Sequence, residues 1–259
     1  LAGRLRLLPL YFRIVEWRVS RRAPPPPRFD ERGIPIPPRL LITRVAGEPD
    51  WRGFLKNGAD NVASIERFAR EGGIDIVTAA RTLDFGCGCG RVVRHLPART
   101  ATAVFGVDRS ASLIRWCAHN LAGDFRRSAA RPPLDFPDAH FDLVYLISVF
   151  THMSIDAQRA WLREFRRIAR PGAVVLVTFQ DEYHRQLVAV PGARAELQRT
   201  GSYVLNGWGE GSNLFATFQT RAAATDLFGE VFDVVRIVPA EDTGGLGQTL
   251  AILRRRAAA

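Results

Sequence analysis

The chain is poor in cysteine, lysine and methionine, with three, one and one among its 259 residues. Cys87, Cys89 and Cys117 are an odd number with two of them one residue apart, which excludes the disulfide framework of a small secreted domain. No uncharged apolar run reaches the ~18–20 residues that a bilayer-spanning helix needs. The opening LAGRLRLLPLYFRIVEWRVSRR is broken by Arg every few positions. These absences point to a cytoplasmic protein, with a peripheral membrane contact left open. The chain begins at Leu rather than Met, so an upstream targeting segment is also left open.

With Lys56 the only lysine, Arg carries nearly all of the positive charge, and its placement is uneven. Residues 1–39 hold nine Arg against Glu16, Asp30 and Glu31, and Arg254, Arg255 and Arg256 lie near the end, which leaves residues 40–253 close to neutral. A basic nucleic-acid surface on the domain body is therefore not expected, although action through basic tails on nucleic acid or a membrane stands as an alternative. Hydrophobic residues at 47% and charged residues at 24% predict one sizeable core rather than a disordered chain.

Residues 1–39 read as a basic, proline-rich arm: an apolar and Arg-rich segment, four prolines at 24–27 as a stiff spacer, and a second proline patch at 34–38. Residues 1–22 could contact a membrane surface or a protein partner, or the arm could fold back onto the domain. From residue 40 to 259 helix-like and strand-like periods alternate, the mark of an α/β domain. A helix capped by Asp60 or Asn61 carries Val62, Ile65, Phe68 and Ala69 and ends at Gly72-Gly73. Strands are expected at 82–85, 102–107, 141–147 and 173–179. Helices are expected over Val92–Leu96, after Ser110 and after Ser154. A helix near 220–228 precedes strands at 231–238 and 248–253, which should pair antiparallel for want of a helix between them. The aromatic, glycine-broken stretch at about 181–219 is the candidate lid for a bound substrate.

The stretch LDFGCGCGR at 83–91 follows the first strong strand. Its glycines stand at 86, 88 and 90, with Arg at 91 where the dinucleotide fingerprint would place its third glycine, so that register fails. Cys87, Cys89, Cys117 and His119 are spaced poorly for zinc, and no metal site is expected. Asp84 ahead of Gly-x-Gly-x-Gly, with Asp108 closing the next strand, resembles the class I S-adenosylmethionine-dependent methyltransferases. So do the segments LDFPDAHFDLV at 134–144 and ISVFTH at 147–152.

The resemblance implies a doubly wound, seven-stranded, mostly parallel sheet of order 3-2-1-4-5-7-6 with an antiparallel C-terminal hairpin, and S-adenosylmethionine as cofactor. It places the methionine part against Gly86, Cys87, Gly88 and Gly90 with Asp84 bracing the loop, the ribose hydroxyls on Asp108, and Arg109 along adenine. The family's adenine-binding Asp, four residues before the Leu matching Leu134, is replaced by Ala130, so adenine is expected to rest on backbone near Ala129 and Ala130. Ser148 ends the fourth strand facing the cofactor, and His152 is the first candidate for a catalytic base, ahead of His184 and Asp181. The Asn/Asp-Pro-Pro-aromatic motif of amino-group methylation is missing where Ser148-Val149-Phe150-Thr151 stands, and so is an acidic metal set. The expected reaction is O-methylation of a small molecule or a glycan or lipid-linked sugar, with Trp208, Phe215, Phe218, Asn206, Asn213 and Gln219 near the acceptor. A nicotinamide-dependent oxidoreductase is the competing reading.

Overall fold

The computed structural model describes residues 14–96, 103–184, 187, 190–205, 209–211 and 215–257. Its centre is one seven-stranded sheet built from β1 (Arg81–Phe85), β2 (Ala103–Asp108), β3 (Asp124–Arg127), β4 (Phe141–Leu146), β5 (Ala169–Phe179), β8 (Asp233–Val238) and β9 (Thr249–Arg254). The spatial order is β3-β2-β1-β4-β5-β9-β8, the order expected. β1 to β5 pair in parallel, while β9 runs antiparallel to both β5 and β8.

The apolar runs of β4 and β5 are continuous because both sheet faces are covered. Val144, Leu146, Val175 and Val177 point into a core with Trp161, Leu162 and Phe165 of α4 (Ile155–Ile168) and with Leu227 and Phe228 of α6 (Arg221–Gly229). Leu143, Tyr145, Val174 and Leu176 point the other way, onto Val62, Ile65 and Phe68 of α2 (Trp51–Glu71). Ser154 and Thr220 open α4 and α6 by accepting the N–H groups of Ala157 and Ala223. Further helices are α1 (Arg39–Ala46), α3 (Ala111–Asn120) and α5 (Ala193–Thr200), and residues 14–20 of the arm are also helical.

Three expectations are corrected. α2 starts at Trp51, about three turns before the expected cap, because Gly53 and Gly58 lie inside it rather than ahead of it. Gly58 is required there by close approach: a Cβ would overlap the carbonyl oxygen of Arg91 in the glycine loop. The α-helix expected over Val92–Leu96 does not form. Val93–His95 makes only a 3₁₀ turn, since a positive φ at Gly90 and Pro97 downstream leave too little chain for an α-helical ladder. The stretch without clean periodicity contains α5 and a two-stranded ribbon, β6 (Ser202–Leu205) and β7 (Ala216–Gln219), around buried Phe218, Leu187 and Leu197.

Part of the arm lies on the domain. Arg94, its side chain fully buried, donates to Asp30 Oδ2 at 3.2 Å, Ile34 O at 3.3 Å and Pro35 O at 2.8 Å. Ile36 joins Ile42, Phe54, Cys89 and Leu113 in a satellite core.

Gly58→Ala should destabilise the fold by about 3 kcal/mol, because the obstacle is backbone and overpacking is relieved only by shifting it. Gly229→Ala, at a helix end with nothing within 4 Å of the added carbon, should leave stability unchanged or raise it slightly. Denaturant midpoints of the two variants would show this contrast.

Candidate active site

The C-terminal ends of β1, β2, β3 and β4 open into a cavity of about 1320 Å³. This is where strand order departs in opposite directions from β1, the position at which open α/β sheets hold ligands. Gly86 and Gly88 bend the chain out of β1 at φ +81° and +56°, a region costly for other residues. The turn is tied to β2 by its backbone: Gly86 and Cys87 N–H both donate to Val107 O, at 2.8 and 3.0 Å. Gly88 N–H donates to Asp108 Oδ2 at 3.1 Å, and Ser110 N–H to Asp108 Oδ1 at 2.7 Å. Burial pushes the Asp108 carboxyl above its usual range, against the pull of the Ser110 and Gly88 N–H groups and Arg109. Each carboxylate oxygen keeps a lone pair for a further donor.

Asp84, Gly86, Cys87, Gly88, Asp108, Arg109, Ala130, Ser148 and His152 all line this one cavity. Gly90 lies behind it, where a Cβ would overlap Leu121 Cδ1, so its place is one of packing against α3. Arg109 does not lie free along the wall but donates across it to Glu210 O at 3.0 Å. Ser148 sits at φ +60°, held there by donating its N–H to Thr178 Oγ1 (2.7 Å) and by accepting Gln248 Nε2–H on its hydroxyl oxygen (3.1 Å). His152 Nδ1 is 2.8 Å from Phe215 O. A carbonyl only accepts, so Nδ1 carries the proton and Nε2 keeps its lone pair in the neutral ring. Burial lowers the His152 pKa, opposed by that bond to Phe215.

Asp181 and His184 stand apart from the cavity. Asp181 is consumed by Thr249 Oγ1 (2.7 Å), Arg221 (2.7 Å) and Tyr183 N–H (3.0 Å), while His184 lies beside the Phe218 ring. Phe218 and Gln219 are buried in and beside the β6–β7 ribbon, and Trp208, Asn206 and Asn213 lie outside the described residues. Cys87 and Cys117 both point their thiols at Gly88 O, at 3.7 and 3.5 Å, and Cys89 points at Leu41 O at 3.6 Å. Among the described residues no three His, Cys, Asp or Glu side chains gather as a metal site.

Several lining groups escaped the sequence reading. Arg91 lies beside Asp84. Gln180 and Trp161 reach the cavity with Oε1 and Nε1 buried and unpaired. The last turn of α1, Thr43–Ala46, lines it too, bringing the carbonyl end of a helix, which favours positive charge. Residues 209–211 form a strap: the Glu210 carboxylate takes Ser154 N–H and Oγ–H at 2.8 and 2.5 Å and lies 3.6 Å from Arg131, while Gly211 N–H donates to His152 O at 2.7 Å. A regular spacing could have flagged none of these, because they come from five separate segments.

A diphosphate-bearing dinucleotide fits this crevice poorly. Behind the loop stands a 3₁₀ turn instead of the α-helix N-terminus that receives a pyrophosphate. A cationic adenosyl ligand fits better, given a carboxylate with spare acceptor capacity at Asp108, an unpaired Asp84 Oδ2 and a helix carbonyl end.

Comparison with known proteins agrees. Residues 82–172 match the family described as Methyltransferase domain. A curated relative, 2-methyl-6-phytyl-1,4-hydroquinone methyltransferase of Synechocystis sp., is 28% identical over 133 residues, which are 50% of this chain. The chain spans only 40% of that relative's length. A solved S-adenosylmethionine-dependent methyltransferase from Methanosarcina mazei superposes at TM-score 0.53 with 20% identity, over 71% of this chain and 94% of the other. Magnesium protoporphyrin IX methyltransferase from Synechocystis, solved with bound SAH, superposes at 0.51 with 16% identity, over 80% and 87%. At these identities the two structures speak for the fold.

Burial pushes Asp84 up to about 7, opposed by the Tyr145 hydroxyl and Arg91, although neither that hydroxyl nor Asp84 Oδ2 has a well-formed hydrogen bond. A raised native pKa means the native state holds this proton while the unfolded chain releases it, so stability drops as pH climbs from 3.8 to about 7. Asp84→Asn should remove that loss, unfolding a few kcal/mol later than the parent above pH 7 and converging with it near pH 4. Urea melts across that range measure the gap.

Proposed function

We propose that this chain, which belongs to the class I S-adenosylmethionine-dependent methyltransferase family, transfers the methyl group of S-adenosylmethionine to a hydroxyl of a small molecule or lipid-linked sugar. The cofactor supplies an electrophilic methyl on a sulfonium. Asp108 would accept its ribose hydroxyls, since two acceptor oxygens suit two vicinal donors, and Gly86, Cys87 and Gly88 would offer bare backbone to its methionine portion. Asp84 and Arg91 would meet its ammonium and carboxylate. Adenine would rest against Ser128, Ala129 and Ala130, which line the same cavity.

The observation that carries the oxygen assignment is the hydrogen bond from His152 Nδ1 to Phe215 O. It fixes the tautomer whose Nε2 can take a proton, and burial keeps the ring neutral at ordinary pH. An alcohol needs its proton removed as it attacks, whereas a soft or ionised nucleophile does not. Gln180 Oε1, buried and unpaired on the same cavity, suits a second hydroxyl of a polyhydroxylated acceptor. In-line displacement then depends mainly on holding acceptor and methyl in contact.

S-adenosylhomocysteine should raise the melting temperature and NAD should not; stabilisation by NAD alone would end this reading. Asp108→Ala should weaken S-adenosylhomocysteine binding by roughly 10- to 100-fold, the worth of one or two charged hydrogen bonds, as read by calorimetry. His152→Ala should lower kcat by about 10²- to 10⁴-fold with that binding nearly unchanged. In the parent, the acid limb of kcat should fall below the pH 6.5 of an ordinary imidazole. A His152 variant of full activity would remove the base from the mechanism.

A further inference from the structure

We infer that the basic, aromatic face of residues 14–29 docks on an anionic lipid bilayer and so holds the mouth of the cavity at the membrane. The clause about the cavity's use rests on the methyl-transfer reading; the docking face does not.

A helical stretch at 14–20 has two unlike sides. Val15, Glu16 and Val19 turn inward and line the cavity. Glu16 Oε2 accepts Arg44 Nε and Nη2 at 3.0 and 2.9 Å, and Arg44 Nη1 continues to Ser112 Oγ at 2.9 Å, which anchors the stretch to α1 and α3. Outward stand Ile14, 42% exposed, and Trp17, 49% exposed, among exposed Arg18, Arg21 and Arg22. The Arg21 guanidinium lies 5.1 Å from the Trp17 ring centre. Further along, Phe29 is 46% exposed with Arg28 5.0 Å from its ring centre. Three of the seven exposed large hydrophobics among the described residues thus fall on one short stretch.

The charge on this face is one-sided. Glu16 is turned inward on Arg44 and Asp30 is held by Arg94 and Arg32, so exposed Glu31, just past Phe29, is the one acid set against Arg18, Arg21, Arg22 and Arg28. In the sequence, residues 1–13 hold Arg4, Arg6 and Arg13 and no acidic residue. Arginines interleaved with an exposed Trp, Ile and Phe fit the headgroup region of an anionic leaflet, where the rings enter the interface and the guanidinium groups meet phosphate. A nucleic acid would take the arginines and leave Ile14 in water, so the bilayer is the better match. With Val15 and Val19 on the inner side of the same stretch, an acceptor with a polar head and an apolar tail could present its hydroxyl to the cavity while the tail stays in lipid.

The test is co-sedimentation of the full chain with phosphatidylglycerol and with phosphatidylcholine vesicles, alongside tryptophan fluorescence. Binding to phosphatidylglycerol alone, weakened by salt and with a blue shift, is expected. The triple variant Arg18→Ala, Arg21→Ala, Arg22→Ala should bind about 100-fold more weakly, near fivefold for each arginine at ~1 kcal/mol apiece. Trp17→Ala should abolish part of the blue shift. Neither variant alters a cavity-lining residue, so both should keep the parent's melting temperature and its stabilisation by S-adenosylhomocysteine. Equal binding to both vesicles, binding to neither, undiminished binding by the triple variant, or displacement of vesicles by duplex DNA or RNA would overturn the proposal. Vesicle binding without any response to S-adenosylhomocysteine would sink the methyl-transfer reading and leave the docking face standing.

Discussion

The site depends on one constraint: the bare turn after β1 is pinned to the end of β2 through backbone. Val107 O takes the Gly86 and Cys87 N–H groups, and Asp108 takes that of Gly88. The parallel register Phe85↔Val107 makes this possible, because it brings the last residue of β1 level with the residue before Asp108. A carboxylate at 108 therefore has two tasks, bracing the turn and presenting its remaining lone pairs to a ligand. The two tasks are linked, since any ligand that engages Asp108 also loads the hydrogen bond that shapes the cradle beside it. α2 supports the same turn from behind, where the absence of a side chain at 58 lets Arg91 O approach the helix.

Around that fixed point the cavity is walled by elements from distant parts of the chain. The arm contributes Val15, Glu16 and Val19 on one side, and the strap contributes Gly209 and Gly211 on another. The strap is bonded to both chemical ends of the site. Arg109, adjacent to Asp108, reaches its Glu210 carbonyl, and the His152 carbonyl receives its Gly211 N–H. Asp108 and the His152 imidazole are thus linked by a route that does not pass through the sheet. That is a mechanical connection of a few hydrogen bonds, the kind of contiguous network that can couple two halves of a site.

The fold was largely legible because its strongest signals are local. Apolar runs at 141–147 and 173–179, long enough to be buried on both faces, read as strands of a largely parallel α/β sheet, and the doubly wound strand order follows from the family resemblance. The cradle was legible through that resemblance: Asp84, Gly86, Gly88 and Asp108 lie on one strand–turn–strand unit, and the structure brings all four to one cavity. What was not legible comes from tertiary demands that leave no periodic trace. Gly53 and Gly58 look like helix breakers until the loop they accommodate is seen, and the expected helix after Gly90 is cut to a 3₁₀ turn. Phe218 reads as a candidate acceptor contact, yet it is the centre of a small core under α5. Arg94 gives no signal at all; only its burial against Asp30 and two carbonyls shows that it holds residues 28–36 to the domain.

The three thiols carry a practical consequence. Each is buried in tight packing around the glycine turn, and burial raises the pKa of Cys89 well beyond the ordinary thiol range, while the Cys117 thiol and burial do the same for Cys87. Alkylating reagents act on exposed thiolates, and this turn presents none. Maleimide or iodoacetamide labelling therefore reports on opening of the native packing rather than on active-site chemistry, which makes the cysteines built-in probes of local unfolding at the cradle.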